Sequence, residues 1–245
     1  MRHYMGFKFN NLWLICLFFL FLVACGDTTK EDIKSPKTTS NTAIQEEEKT
    51  SDNDTVEAGD YDIFDKPYAT QNNEQVVVYE FFGYPCPHCY SFQPYMEEWL
   101  ENKPDYVKLI RVPLNFQPGW DNLQQAYLTA EIMGIVEESH EKLFSAIHND
   151  HKRFNSIDAL AQWYADEIGI NKEEFLSTAD SFILDSKQRK ADKMGFEMQV
   201  TSTPTVIVNG KLRVAKNIQN RDEIMKVLDF LVNKEAKEMG LVEKD

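Results

Sequence analysis

The feature that most constrains this chain is a pair of cysteines, Cys86 and Cys89, between a strand pattern and a helix pattern. The segment before the pair, Gln75 to Phe82, is β-branched and aromatic without alternation, which is typical of a central strand covered on both faces. After the pair, apolar residues recur at roughly helical spacing, so the cysteines are predicted to open a helix. These residues are Tyr90, Phe92, Tyr95, Met96, Trp99 and Leu100.

Two cysteines at this spacing serve metal binding, haem attachment or thiol-disulfide exchange. A structural zinc site needs four ligands, but no second cysteine pair exists, and His140, His148 and His151 show no ligand spacing with a cysteine. Covalent haem attachment needs a histidine directly after the second cysteine, where this chain has Tyr90. The pattern therefore predicts redox exchange, with no metal and no cofactor.

The position of the pair predicts different chemical roles for the two sulfurs. Unpaired backbone N–H groups and the helix dipole stabilise negative charge at a helix N-terminus, so Cys86 is predicted to be the thiolate that reacts with substrate. Cys89 lies about one turn deeper and is predicted to resolve the mixed disulfide. His88 is predicted to donate a hydrogen bond or positive charge to the thiolate, which would make the disulfide more oxidising. The alternative for His88 is an ordinary exposed helix residue.

The sequence pattern after the first helix predicts a strand, a helical block, a β-hairpin and a last helix. Tyr106 to Val112 reads as the strand after the first helix, which gives a parallel βαβ unit. Residues 119–193 are helical in pattern throughout. Thr205 to Val208 and Leu212 to Val214 read as strands joined by Asn209-Gly210, a strong hairpin signal. An apolar stripe after Asn220 predicts the last helix.

The N-terminus has the layout of a signal peptide over residues 1–24. Arg2 and Lys8 precede an apolar run from Leu12 to Ala24. That run is shorter than the roughly 20 residues that span a bilayer, so a permanent transmembrane helix is the weaker interpretation. Leu22-Val23-Ala24-Cys25 resembles the bacterial lipobox, which implies lipidation of Cys25 and anchoring to a membrane by lipid alone. An ordinary signal peptide that leaves Cys25 as a free thiol is the alternative.

Residues 25–60 are predicted to form a disordered acidic tether. They contain no aromatic residue and are rich in Thr, Ser, Asp, Glu and Lys, so they cannot bury enough apolar surface to order themselves. The whole chain has a net charge of −14, which disfavours nucleic acid as a partner.

Four motifs together resemble the DsbA family in order and spacing. They are Glu80-Phe81-Phe82, Cys86-Pro87-His88-Cys89, Asn115-Phe116, and Thr203-Pro204 followed by Val208-Asn209-Gly210. The resemblance covers the chain from about Tyr61 to its end and implies an α/β class: a thioredoxin fold with an inserted all-helical domain. It implies residues 61–118 for the first part of the thioredoxin fold, 119–193 for the helical insertion and 194–245 for the second part.

The resemblance also implies the function. The chain would be a thiol-disulfide oxidase that donates its Cys86–Cys89 disulfide to exported proteins with reduced cysteines. It would face the periplasm, act as a monomer and be reoxidised by a DsbB-like quinone-linked membrane protein. Two alternatives stay open: a reductase or isomerase kept in the reduced state, and a redox-inert, lipid-anchored module that binds peptides.

Three more site residues come from the resemblance. It implies a cis bond between Thr203 and Pro204, placing Pro204 against the cysteines and exposing the backbone of Thr203 to a substrate peptide. Threonine before this proline is frequent in reductases and isomerases, where many DsbA proteins have valine. Glu80 is an acidic residue in an apolar strand and needs a partner when buried. We interpret it as a proton shuttle for Cys89, with a structural ion pair to Arg111 as the alternative.

Overall fold

The computed structural model describes residues 56–57, 59–70, 74–215 and 220–243. The predicted signal peptide 1–24, Cys25 and nearly all of the predicted tether 25–60 lie outside the described residues. These assignments therefore stay predictions.

Five strands form one sheet within the described residues, in the order β1-β5-β4-β2-β3. Strand β2 is parallel to β3 and antiparallel to β4, while β5 is antiparallel to both β4 and β1. Every residue of β2 is buried, which confirms the prediction of a central strand covered on both faces. The strands are β1 (Tyr61–Ile63), β2 (Val76–Phe82), β3 (Val107–Pro113), β4 (Thr205–Val208) and β5 (Leu212–Val214).

Helices cover both faces of this sheet because the side chains of β2 alternate between two apolar layers. Val76 and Val78 pack with helices α1 (Pro87–Asn102) and α7 (Arg221–Met239) on one face. Val77, Tyr79 and Phe81 pack on the other face with residues of helix α6 (Phe182–Glu197). The lack of alternation in the sequence of β2 thus has its cause in two buried faces.

The helical block lies between β3 and β4, which confirms a thioredoxin fold with an inserted all-helical domain. Its helices are α2 (Asp121–Met133), α3 (Val136–His148), α4 (Ile157–Ile168), α5 (Lys172–Ala179) and α6. Helix α6 continues past the predicted end of the block at Lys193 to Glu197, and its last turns pack on the sheet. None of the helices in the described part of the chain combines the length and apolar character needed to cross a bilayer.

The core of the helical block reaches the redox motif itself. Cys86 and Cys89 belong to the same buried apolar cluster as Phe82 and Tyr84 from the sheet side and as Leu143 and Phe144 from α3. The motif therefore sits at the seam between the thioredoxin fold and the helical insertion.

Candidate active site

Cys86 is the N-cap residue of α1, so its sulfur lies where the helix leaves its first N–H groups unpaired. The Cys86 sulfur accepts a hydrogen bond from the backbone N–H of Cys89 at 3.4 Å. Pro87 occupies the first helical position, where its missing N–H costs nothing and its fixed φ suits a helix. Cys86 is 7% exposed and Cys89 is 1% exposed, so Cys86 is the more accessible of the two.

The loop before β4 closes over Cys86 from the other side. The peptide bond between Thr203 and Pro204 is cis, as the resemblance implied. The Cys86 sulfur lies 3.3 Å from the carbonyl oxygen of Thr203, to which it donates a hydrogen bond when protonated. Thr203 is thus brought to Cys86 although it is far from it in sequence, and Pro204 follows it through the cis bond.

The pKa values of the two thiols are shifted in opposite directions. The pKa of Cys86 is lowered to about 5, first by a hydrogen bond from the Cys89 thiol and then by bonds from the Thr203 side chain and backbone N–H groups, which outweigh burial. Burial raises the pKa of Cys89 far above its ordinary range, and the neighbouring Cys86 sulfur raises it further. At neutral pH the reduced site therefore holds a Cys86 thiolate and a Cys89 thiol.

His88 is exposed on the first turn of α1. Its backbone N–H is one of the groups that lower the pKa of Cys86. The predicted role of its imidazole stays a prediction.

Glu80 forms a buried ion pair behind the motif. It is 2% exposed, and the Nε of Arg111 donates to its Oε2 at 3.0 Å. Arg111 also donates to Glu97 of α1 at 2.7 Å, so one guanidinium joins β2, β3 and α1. Burial raises the pKa of Glu80, and the charge of Arg111 opposes that shift.

Two neighbouring cavities share Thr203 as a wall, and Cys86 lines one of them. One, of about 730 Å³, is lined by Cys86, Phe116, Trp120 and Thr203. The other, of about 340 Å³, is lined by His88, Phe92, Thr203, Pro204 and Arg221 among others. The aromatic side chains of Phe116 and Trp120 thus line the cavity that contains Cys86, and Arg221 lines the neighbouring one. The part of the chain that the structure describes contains no group of three or more metal-ligating side chains.

Residues 77–228 match the family model described as a DSBA-like thioredoxin domain. This chain belongs to the DsbA family. It is 36% identical over 177 residues to the thiol:disulfide interchange protein DsbA of Pseudomonas aeruginosa, covering 72% of this chain and 83% of that protein. It is 35% identical over 162 residues to DsbA of Pseudomonas syringae, covering 66% and 75% of the two chains. The chain is therefore a protein thiol-disulfide oxidoreductase.

Solved structures of DsbA proteins agree with this assignment. The crystal structure of Pseudomonas aeruginosa DsbA matches with a TM-score of 0.69 at 35% identity, covering 74% of this chain and 94% of that chain. DsbA from Xylella fastidiosa matches with a TM-score of 0.67 at 28% identity, covering 72% and 95%.

Sequence reasoning missed two residues that pack at this site. Gly83 lies against Trp120, because a Cβ on Gly83 would meet the Trp120 ring at 2.3 Å. A glycine directly after a buried strand could have suggested such a close approach. Arg221 reaches the smaller cavity from the start of α7, where its guanidinium lies over the Phe92 ring at 5.8 Å. Only the tertiary fold brings this cation to the site.

Proposed function

We propose that this DsbA protein is an oxidase that donates its Cys86–Cys89 disulfide to exported proteins with reduced cysteines. The observation that carries the proposal is the opposite pKa shift of the two thiols, with Cys86 lowered to about 5. A stable Cys86 thiolate favours the reduced enzyme, and a disulfide whose reduced form is stabilised is a strong oxidant, a relation for which DsbA itself is the established example.

The exchange takes place in two displacements. A substrate thiolate attacks the Cys86 sulfur, the Cys86–Cys89 bond breaks, and Cys89 leaves and takes up a proton. A second substrate thiolate then attacks the substrate sulfur of the mixed disulfide, and Cys86 leaves as a stable thiolate. The substrate loses two electrons and gains a disulfide, while the enzyme gains two electrons and ends as a dithiol.

Reoxidation requires Cys89 to lose its proton again, and we assign the proton shuttle to Glu80. Glu80 is buried on the strand that leads into the motif, and burial raises its pKa so that proton uptake is easier than for an exposed glutamate. Arg111 holds this carboxylate in place but cannot itself release a proton.

Glu80→Gln tests this assignment, because glutamine preserves the hydrogen bond to Arg111 but cannot carry a proton. We expect slower reoxidation of the dithiol by a small disulfide, with the Cys86 pKa unchanged. Stopped-flow reoxidation rates against pH measure the effect, with Glu97→Gln as the control for losing an acidic partner of Arg111. Wild-type rates in Glu80→Gln would leave only the structural ion pair.

The remaining roles concern substrate and thiolate. We assign Thr203 and Pro204 to binding an extended substrate peptide, since Thr203 lines both the cavity at Cys86 and the neighbouring cavity that contains Pro204. We propose that Pro87 starts helix α1 and that the His88 imidazole stabilises the Cys86 thiolate.

The location is proposed from the N-terminal residues. The enzyme would be exported by signal peptide 1–24 and held on a bacterial membrane, facing the periplasm, by a lipid on Cys25 and the tether 25–60. The thioredoxin fold would follow in two parts, 61–118 and 194–245, around the insertion 119–193. A DsbB-like quinone-linked membrane protein would reoxidise it, and we expect a monomer. Cys25→Ala should abolish acyl labelling, and a fragment that starts at Asp60 should still fold and exchange disulfides.

An equilibrium with glutathione tests the direction of the chemistry. An oxidase disulfide is reduced at a low ratio of reduced to oxidised glutathione, whereas a reductase disulfide resists reduction. A Cys86–Cys89 disulfide that is hard to reduce would favour the reductase or isomerase. Cys86→Ser should abolish thiol oxidation, and full activity in that variant would leave the binding module as the better description.

A further inference from the structure

One residue of the helical insertion contacts both sides of the redox motif. His148 is the last residue of α3, and its Nε2 lies 2.7 Å from the carbonyl oxygen of Tyr84, just before the motif. Its ring stacks on Tyr90, just after the motif, with centroids 4.7 Å apart and an angle of 9° between the planes. From the helical insertion, His148 thus contacts the residues on either side of the segment that contains Cys86 and Cys89.

The hydrogen bond fixes the protonation of one ring nitrogen. A backbone carbonyl oxygen only accepts, so the Nε2 of His148 must carry a hydrogen and donate it to Tyr84. Both the neutral imidazole with this tautomer and the imidazolium satisfy that requirement, so the contact does not depend on the charge of His148.

The bonded carbonyl belongs to the turn that aims Cys86. Tyr84 and Pro85 form the turn between β2 and α1, and the N–H of Cys86 donates to the carbonyl oxygen of Gly83 at 3.0 Å. The orientation of this turn decides whether the Cys86 sulfur stays in front of the N–H groups of α1. A shift of the Tyr84 carbonyl would therefore move the sulfur relative to the groups that stabilise its charge.

A second histidine of α3 holds the same residue by its side chain. The Tyr84 hydroxyl and the Nδ1 of His140 are 2.8 Å apart, and both residues are buried. Tyr84 is thus fixed at its ring by His140 and at its backbone by His148. Since the ring of Tyr84 is anchored in the core, the His148 bond is the contact that sets the direction of its carbonyl.

We propose that His148 is a positioning residue that, from the helical insertion, holds the turn before Cys86 and thereby makes the Cys86–Cys89 disulfide more oxidising. The proposal rests on the thiol exchange proposed above. It gives the insertion a part in the chemistry, besides forming a wall for substrate.

The test compares variants that separate the hydrogen bond from the ring stack. His148→Phe keeps an aromatic ring against Tyr90 but removes the donor, whereas His148→Gln keeps an N–H donor. His151→Asn is the control, because His151 is an exposed histidine just beyond the same helix, with φ of 55°, which asparagine tolerates. The readouts are the thiolate absorbance titration of the full chain, taken as the difference from Cys86→Ser, and the glutathione equilibrium.

We expect His148→Phe to raise the Cys86 pKa, so that a higher glutathione ratio is needed for half reduction. A shift of half a pKa unit corresponds to roughly a threefold change in that equilibrium. His148→Gln should recover most of the wild-type behaviour, and His151→Asn should match wild type. Because a merely structural contact would lower stability without moving the redox equilibrium, unfolding of both redox forms is measured alongside.

Wild-type titration and glutathione equilibrium in His148→Phe would overturn the proposal, and so would a His148→Gln variant that behaves like His148→Phe. If His148→Phe does not fold, His148→Met replaces it, since it also lacks a donor. An ordinary Cys86 pKa in the wild-type chain would instead contradict the proposed oxidase. The two failures are thus distinguishable.

Discussion

Cys86 and Cys89 are the same residue type one helical turn apart, yet their surroundings give them opposite chemistry. The Cys86 sulfur caps the helix and receives hydrogen bonds, whereas the Cys89 sulfur lies deeper among apolar side chains. Hydrogen bonds to the charged form lower a pKa and desolvation raises it, so position alone separates nucleophile from resolving thiol.

Thr203 offers the clearest test at the scale of one residue. Its side chain lowers the pKa of Cys86 by hydrogen bonding to the sulfur. Thr203→Val removes the hydroxyl with little change in shape, so we expect a higher Cys86 pKa and a less oxidising disulfide. Thiolate absorbance against pH measures the shift. Thr203→Ser, which keeps the hydroxyl, should stay near wild type; equal shifts in both variants would assign the effect to packing.

At the scale of elements, the segments predicted from sequence are those whose signal is local. The unalternating pattern of β2 reports burial on two faces, and Asn209-Gly210 adopts the positive φ angles of 49° and 68° that its hairpin needs. Strand β1 was not predicted, because three residues carry little pattern and β1 forms only by pairing with β5, far along the chain.

The residues of the candidate site also fall into two groups, those predicted from local sequence and those that only the tertiary fold brings together. The spacing and the helix start predicted a reactive Cys86 thiolate and a resolving Cys89. The contacts of Arg221 and Trp120 with the site depend on how separate elements pack, so no local pattern carried them.

The junction between β2 and α2 has a prediction of its own. Gly83→Ala would place a methyl group 2.3 Å from the Trp120 ring, which must then move out of the cavity beside Cys86. We expect a loss of about 1–3 kcal/mol in the free energy of unfolding, typical of overpacking, and weaker peptide oxidation. Denaturant unfolding measures the first effect. Trp120→Leu should restore stability to Gly83→Ala, and simple additivity of the two changes would contradict a direct clash.

At the scale of the whole molecule, buried titratable groups link folding to pH. His140 is buried, and burial lowers its pKa well below the usual 6.5 of a histidine. Below that value the unfolded chain binds a proton that the folded chain resists, so stability should fall as pH decreases, by up to about 1.4 kcal/mol per pH unit from this group. Unfolding of wild type and His140→Gln between about pH 7 and about pH 5 measures the slope. An equal slope in both proteins would exclude His140 as its source.

The redox state adds a second pH dependence that only the reduced protein has. The pKa of Cys86 is about 5 in the fold against an ordinary value of 9.0, so it is depressed by folding. A depressed pKa contributes stability that is fully present above the unfolded value and is lost as pH falls through the folded value. The oxidised protein has no thiolate and lacks this contribution, while His140 affects both forms alike.

Below the ordinary thiol pKa of 9.0, where Cys89 keeps its proton in both the folded and the unfolded chain, the difference in stability between the reduced and oxidised proteins therefore isolates Cys86. We expect it to shift in favour of the reduced form as pH rises from about 5 to about 9, the pKa values of this thiol in the fold and in the unfolded chain. Its slope between them should approach about 1.4 kcal/mol per pH unit. Above pH 9 the raised pKa of Cys89 acts in the opposite direction. Paired denaturant titrations of the two redox forms across this range give the difference directly. Stability and reduction potential are linked by one thermodynamic cycle. The oxidase direction would therefore be contradicted if the stability difference between the two redox forms did not change with pH. It would also be contradicted if the oxidised form were clearly more stable at neutral pH.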